Sequence, residues 1–204
     1  MSEIQKKLTA LFSPILIVAV LDQWSKYVIR TTPDLQYTDL IEGVLAFHYT
    51  QNPGMAMGIS WADTWVISLV AIAATFLISF YIYRVFQFAG TGFLVCMGLI
   101  LGGAVGNIID RLILANIKGY GGVLDGHVID FIHFNLTIGD FAVFPYIFNV
   151  ADIAISVAII SLLVFYSKIM PEKTEDAAAE KSQNKENLGR SSSESDSSSS
   201  GKSA

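Results

Sequence analysis

The chain has 204 residues, of which 52% are hydrophobic and only 15% are charged. Soluble domains carry about 25% charged residues, so this composition indicates a membrane protein. The net charge of −5 excludes the basic surface that nucleic acid binding needs, and a single cysteine, Cys96, excludes a disulfide scaffold.

Four apolar stretches approach the length of about 20 residues that a helix needs to cross a bilayer. They cover residues 11–29, 64–83, 92–114 and 145–166. Residues typical of helix starts support these boundaries: Ser13-Pro14, Asp63, Thr91, and Pro145 or Asn149. The first stretch has no small-residue cleavage site after it, so we expect it to stay in the protein as an anchor rather than to be removed as a signal peptide.

The distribution of basic residues predicts the orientation of the chain. Short flanks on one side carry Lys6, Lys7, Arg84, Lys168 and Lys173, whereas residues 31–63 contain no Lys or Arg. Cytoplasmic loops are enriched in these residues. We therefore expect both termini in the cytoplasm and two long segments, 31–63 and 115–144, on the outer side.

The outer segments have the composition of strands. Residues 44–50 and 141–144 are rich in β-branched and aromatic side chains, which predicts a small sheet on the membrane surface. The expected fold is thus an all-α membrane protein with four transmembrane helices and a small extracytoplasmic β-sheet. Residues 1–170 form this domain, and the Ser-rich cytoplasmic tail, 171–204, is expected to be disordered.

Five ionisable residues lie within the predicted spans, where each is costly by about 2.5–3.5 kcal/mol at mid-bilayer. They are Asp22, Lys26, Asp110, Arg111 and Asp152. With the predicted orientation, all five fall in the outer leaflet. This convergence at one depth predicts a functional site.

Most of these residues, and two asparagines near them, also have a purely structural explanation. Asp22 and Lys26 are four residues apart and can pair with each other, or Lys26 can extend to the headgroups. Arg111 can be an interfacial anchor, Asn107 can bond between helices, and Asn149 with Asp152 can cap a helix.

Two further patterns favour structural explanations. Gly98, Gly102 and Gly106 recur every four residues, which favours a close helix-packing stripe. His127 and His133 lack the spacing of metal ligands, so neither a metal nor a cofactor is expected.

Carboxyl groups are the remaining candidates for catalysis. The chain lacks the Gly-x-Ser-x-Gly motif of serine hydrolases and a phosphate-binding loop. Two aspartates held close together share one proton and can activate water, which suggests peptide-bond hydrolysis at the membrane surface. A small proton- or ion-coupled carrier and a noncatalytic assembly protein are the alternatives.

Over roughly residues 8–168 the chain resembles bacterial lipoprotein signal peptidase, an intramembrane aspartic protease family also called type II signal peptidase. The resemblance rests on five segments in the family's order: Asp22-Gln-Trp-Ser-Lys26, Asn52-Pro-Gly54, the run from Gly102 to Arg111, Val128-Ile-Asp-Phe131 and Phe148-Asn-Val-Ala-Asp152. Met55-Ala-Met57 departs from the family's Ala-Ala-Phe, and the segment between Arg111 and Asp130 is longer than usual.

The resemblance implies an aspartic endopeptidase of the bacterial inner membrane, active at its outer face. Its substrates would be diacylglyceryl-modified prolipoproteins, cleaved just before the lipidated cysteine. Membrane lipids are the other expected partner, and a monomer is favoured.

The resemblance also assigns the site residues. The catalytic dyad would be Asp130 and Asp152, and Asp130 is preferred to Asp125 because only Asp130 has the family's Val-x-Asp-Phe context. The supporting residues would be Asn107, Asp110, Arg111, Asn149, Asn52, Gly54, Asp22 and Lys26. Asp152 lies in a first helical turn, where the helix dipole favours its charged form, so Asp130 is expected to carry the proton.

Overall fold

The computed structural model describes residues 1–54, 62–134, 137–138, 141–142 and 146–166. Met55, Met57 and the Ser-rich tail lie outside the described residues. The helices are α1 (Glu3–Thr31), α2 (Thr64–Val85), α3 (Thr91–Lys118) and α4 (Val150–Val164). The strands are β1 (Tyr37–Ile41), β2 (Leu45–Asn52), β3 (Val128–Phe134), β4 (Thr137–Ile138), β5 (Phe141–Ala142) and β6 (Ile147–Phe148).

Three helices in the described part of the chain, α1, α2 and α3, are long and apolar enough to cross a membrane. The fourth, α4, is a shorter apolar helix of 15 residues. Of the two expected starts of this helix, Pro145 is wrong, because Ile147 and Phe148 pair with β3 as strand β6, and Asn149 is confirmed. The helix therefore begins only at Val150, with Asn149 as its N-cap.

Helix α1 begins earlier than the sequence predicted. Ser2 and Gln5 form a capping box at its start, so the helix already begins at Glu3. The interpretation of Ser13-Pro14 as a helix start is wrong, since Pro14 lies inside α1. Proline has no N–H to donate to the carbonyl four residues earlier, but membrane helices tolerate this loss when nearby groups satisfy the freed carbonyl.

The close helix packing predicted for the glycine stripe of α3 is confirmed, and its partner is α1. A Cβ atom at Gly98 would lie 2.5 Å from the Leu11 carbonyl oxygen, and one at Gly106 would lie 2.5 Å from Asp22 Oδ2. Gly103, on another face of α3, is equally close to α4, because its Cβ would lie 2.6 Å from the Ala151 carbonyl oxygen. Because glycine has no side chain, the backbone of α3 lies very close to α1 and α4.

The main sheet is antiparallel, with strand order β1-β2-β3-β6. The strand expected at residues 44–50 is confirmed as β2, whereas the strand expected at 141–144 is described only at 141–142, where β5 pairs with β4. Strand β3 was not predicted as a strand. It is central to the site, since its Asp130 lies opposite Thr50 of β2.

A small apolar cluster fixes the sheet to the helices. Ile129 and Phe131 of β3 pack with Ile29 at the end of α1 and Leu114 near the end of α3. Residues 128–131 of β3 are buried in succession. Such continuous burial is typical of a strand covered on both faces, and it carries Asp130 into the protein interior.

Candidate active site

Asp130 is a buried carboxyl group near the middle of β3, with 3% of its surface exposed. Its Oδ1 atom accepts a hydrogen bond of 2.7 Å from Asn149 Nδ2, and its Oδ2 atom accepts one of 3.0 Å from Asn52 Nδ2. Burial and the nearby charge of Asp152 raise the pKa of Asp130 to about 7. At neutral pH this carboxyl group can therefore hold a proton.

Asp152 lies in the first turn of α4, at the third helical position. Its Oδ2 atom accepts a hydrogen bond of 3.2 Å from the backbone N–H of Asn149, and its Oδ1 atom accepts one of 3.0 Å from Asn107 Nδ2. The N-terminus of a helix favours a negative charge. The two aspartates thus have contrasting surroundings, a buried strand for Asp130 and a helix N-terminus for Asp152.

Asn149 connects the two aspartates and is fully buried. Its Nδ2 atom donates to Asp130 Oδ1, to Asn107 Oδ1 at 3.1 Å and to the Ile129 carbonyl at 3.3 Å. Its Oδ1 atom accepts from the Asp152 backbone N–H at 3.0 Å, which caps α4. The helix-cap explanation from the sequence is therefore correct, and the same residue also contacts the Asp130 carboxyl group.

Asn52 and Gly54 form a turn beside Asp130. The Gly54 N–H donates to Asn52 Oδ1 at 2.9 Å, which leaves Asn52 Nδ2 to donate to Asp130. Gly54 has φ of +111°, and a Cβ atom there would lie 2.4 Å from Ile67 Cδ1. Backbone conformation and space thus both require glycine.

A second cluster of charges lies on α1 and α3. Lys26 Nζ lies 2.7 Å from Asp22 Oδ2 and 2.8 Å from Asp110 Oδ2, and these three side chains are almost completely buried. Lys26 also donates to Asn107 Oδ1 at 3.0 Å. The expected pairing of Asp22 with Lys26 is confirmed, and Asp110 is a second carboxylate for the same cation.

The two carboxylates of this cluster also hold the segments that carry the aspartates of the site. Asp22 Oδ1 accepts a bond of 3.0 Å from the Ala151 N–H, next to Asp152. Asp110 Oδ2 accepts a bond of 3.2 Å from the Ile129 N–H, next to Asp130. Gln23, which the sequence analysis did not single out, donates to Asp110 Oδ1 at 3.1 Å and to the Gly106 carbonyl at 3.0 Å.

Arg111, expected as a supporting residue or an interfacial anchor, bonds within its own helix. Its Nη1 atom donates to the Asn107 carbonyl of its own helix at 3.3 Å, and its buried Nε atom has no hydrogen-bond partner among the described residues. Asp125, the alternative to Asp130, accepts a bond of 3.0 Å from the Gly122 N–H and closes a loop. Within the described ranges, no group of three or more acidic, His or Cys side chains could hold a metal ion.

Apolar helices and two aspartates that both bond to the buried Asn149 indicate a membrane protein with a candidate acid–base site. The family model for signal peptidase (SPase) II matches residues 14–168. The chain belongs to the signal peptidase II family, and it is therefore a peptidase, a hydrolase of the aspartic class, and a multi-pass membrane protein.

Curated relatives with the name "Lipoprotein signal peptidase" cover most of the chain. The protein from Chlorobium phaeobacteroides (strain DSM 266) is 34% identical over 163 residues, which are 78% of this chain and 90% of the relative. The protein from Geobacillus kaustophilus is 35% identical over 161 residues, which are 76% and 92% of the two chains.

Solved structures have the same fold. A bacterial membrane enzyme determined by the in meso method at 1.9 Å resolution superposes with a TM-score of 0.58 and 26% identity, over 76% of this chain and 90% of that one. A second such structure, at 2.3 Å resolution, gives a TM-score of 0.56 and 27% identity, over 78% and 90% of the two chains.

Proposed function

We propose that this protein removes signal peptides from diacylglyceryl-modified prolipoproteins by cleaving just before the lipidated cysteine. Asp130 and Asp152 are the catalytic dyad in this proposal. The observation that carries the assignment is that both carboxyl groups bond to the same buried residue, Asn149. The names of the relatives support the substrate class.

The surroundings of the two aspartates suggest which one holds the proton. Asp152 at the α4 N-terminus is the base that activates a water molecule for attack on the scissile carbonyl carbon. Asp130, whose pKa is raised to about 7, is the protonated partner that polarises the carbonyl oxygen. After attack, the proton from water resides on Asp152 and can pass to the leaving amine as the C–N bond breaks.

The other site residues position this pair. Asn149 and Asn52 orient Asp130, and Asn107 orients Asp152. Asp22 and Asp110, both paired with Lys26, hold the backbone beside Asp152 and Asp130. The ion-carrier alternative loses support because these two acids are already paired with an internal cation.

The proposal includes four membrane crossings in the bacterial inner membrane, with both termini in the cytoplasm and the site at the outer face. Helix α4 begins beside the dyad, because Asp152 lies in its first turn. Basic residues at the opposite ends of α1 and α2, Lys7 and Arg84, favour this orientation.

Two substitutions test the dyad. Asp130→Asn and Asp152→Asn should each abolish cleavage of a lipidated prolipoprotein by the detergent-purified protein, because neither amide can exchange the proton. Asp125→Asn is the matched control, since Asp125 lies in a loop of the same outer segment, and it should retain most of the activity. Folding of all three variants is checked by thermal unfolding, and normal cleavage by a folded Asp152→Asn variant would refute the proposal.

A further inference from the structure

A groove on the side of the protein away from the dyad has no part in the proposed chemistry. Its volume is about 790 Å³, within the range of about 300–1,000 Å³ that is typical of ligand sites. Its walls come from α1, with Leu8, Phe12 and Ile15, and from α2, with Ser79 and Ile82, over a floor of α3. Both α1 and α2 pack on α3, and the groove separates them.

One end of the groove carries a cation that has no partner among the residues that the structure describes. Arg84, in the last turn of α2, lines the groove and is exposed, and it makes no ion pair or hydrogen bond within the described ranges. Lys7, close by, is different, because its Nζ donates to the Gln87 carbonyl at 2.7 Å and thereby caps α2. Arg84 is therefore free to bind an anion at the mouth of an apolar groove.

The described side chains around the mouth of the groove carry a net positive charge. Among the described side chains at this end of the molecule, Glu3 is acidic, and Lys6, Lys7 and Arg84 are basic. Glu3 is already paired with Lys6 at 2.7 Å. Signal peptides begin with a positively charged segment, which this mouth repels. An anionic occupant fits the charge and a signal peptide does not.

The dimensions match one lipid leaflet. From Thr75 to Arg84 the groove follows α2 for nine residues, or about 14 Å at the helical rise of about 1.5 Å per residue. Half of a hydrocarbon core about 30 Å thick is about 15 Å. An acyl chain that starts at Arg84 therefore reaches the middle of the bilayer where the groove ends.

We propose that this groove is a binding site for an anionic phospholipid of the leaflet opposite the dyad, with the acyl chain between α1 and α2 and the phosphate group on Arg84. The site is independent of the dyad, and binding is measured without substrate. A failure of this inference is thus distinguishable from a failure of the proposed peptidase function.

The experiment is native mass spectrometry of the full chain, released from detergent that contains equimolar phosphatidylglycerol and phosphatidylethanolamine. The wild-type protein should retain phosphatidylglycerol preferentially. Arg84→Gln should reduce this preference about fivefold, the factor expected for one basic residue beside an anionic lipid. Lys6→Gln is the matched control, because it removes the same charge on the same side without lining the groove, and it should leave the preference unchanged.

A second pair of variants tests the apolar part. Ser79→Phe fills the groove and should lower the retention of both lipids, whereas Ala74→Phe, on the exposed surface of α2 outside the groove, should not. Equal retention of the two lipids by the wild-type protein would overturn the inference, as would equal effects of Arg84→Gln and Lys6→Gln. So would displacement of the lipid by a signal peptide that photo-crosslinks at position 79.

Discussion

Asn149 uses both ends of its side-chain amide within the site. Its oxygen caps α4 and its nitrogen donates to Asp130, so the position of the helix and the position of the strand are linked through one residue. Because the side chain is fully buried, water does not compete for these bonds. The distance between α4 and β3 at this point is therefore set by a rigid amide.

The raised pKa of Asp130 predicts the pH dependence of cleavage. In the proposed mechanism Asp130 must be protonated, so kcat/KM should fall as the pH rises through about 7. The measurement is kcat/KM between pH 4 and 9 with one lipidated substrate. A rate that stays constant up to pH 9 would contradict the role of Asp130 as the proton carrier.

The same titration should affect stability. The pKa of Asp130 in the folded protein lies above that of an unfolded aspartate, about 3.9. The proton thus stabilises the fold fully below pH 4, and this contribution is lost as the pH rises through about 7. Asp130→Asn removes the titration, so its melting temperature should depend less on pH in this window than that of the wild-type protein.

Contacts within one helix were more predictable than contacts between elements. The pairing of Asp22 with Lys26 follows from a spacing of four residues along α1. The second partner, Asp110, and the contribution of Gln23 depend on how α3 lies beside α1, which spacing alone does not specify.

At the scale of elements, the glycines of α3 determine how closely the helices approach. Gly98, Gly102 and Gly106 face α1 at distances that leave no room for a methyl group. The four-residue repeat made this stripe predictable. In contrast, the start of α1 and the strand β3 were not, because Pro14 is accommodated inside a helix and because β3 is buried on both faces, without the alternating pattern of an exposed strand.

Gly98→Ala tests the close packing. The added Cβ would lie 2.5 Å from the Leu11 carbonyl oxygen, so α1 and α3 must move apart. We expect a loss of about 1–3 kcal/mol in the free energy of unfolding, as is typical of overpacked cores. Gly90→Ala is the control, since its Cβ would have no neighbour within 4 Å. Thermal and denaturant unfolding in detergent measure both variants, and equal stabilities would show that the contact is unimportant.

At the scale of the whole molecule, the sheet and the charged cluster of Lys26 lie at one end of the helices, and Lys6, Lys7 and Arg84 lie at the other. The helical class, the small antiparallel sheet and the membrane character were all predictable from composition and apolar stretches. The four crossings stay a prediction, because α4 has only 15 residues in the described part of the chain.

Cysteine labelling tests the orientation. In a Cys96→Ser background, Asp39→Cys places a thiol on exposed β1, and Gln87→Cys places one after α2 at the opposite end. A membrane-impermeant maleimide should label position 39 in intact spheroplasts and position 87 only after permeabilisation. The reverse pattern would exclude the proposed orientation.

The buried ion pairs of Lys26 have a consequence for handling the protein outside its native bilayer. The ion pairs of Lys26, together with the hydrogen bonds that Asp22 and Asp110 accept, connect three helices and a strand. This end of the molecule therefore keeps its internal contacts when detergent replaces lipid. At the opposite end, lipid or detergent molecules must fill the apolar groove between α1 and α2. Solubilisation therefore perturbs the two ends unequally, and the choice of surfactant acts first on the end of the molecule opposite Asp130 and Asp152.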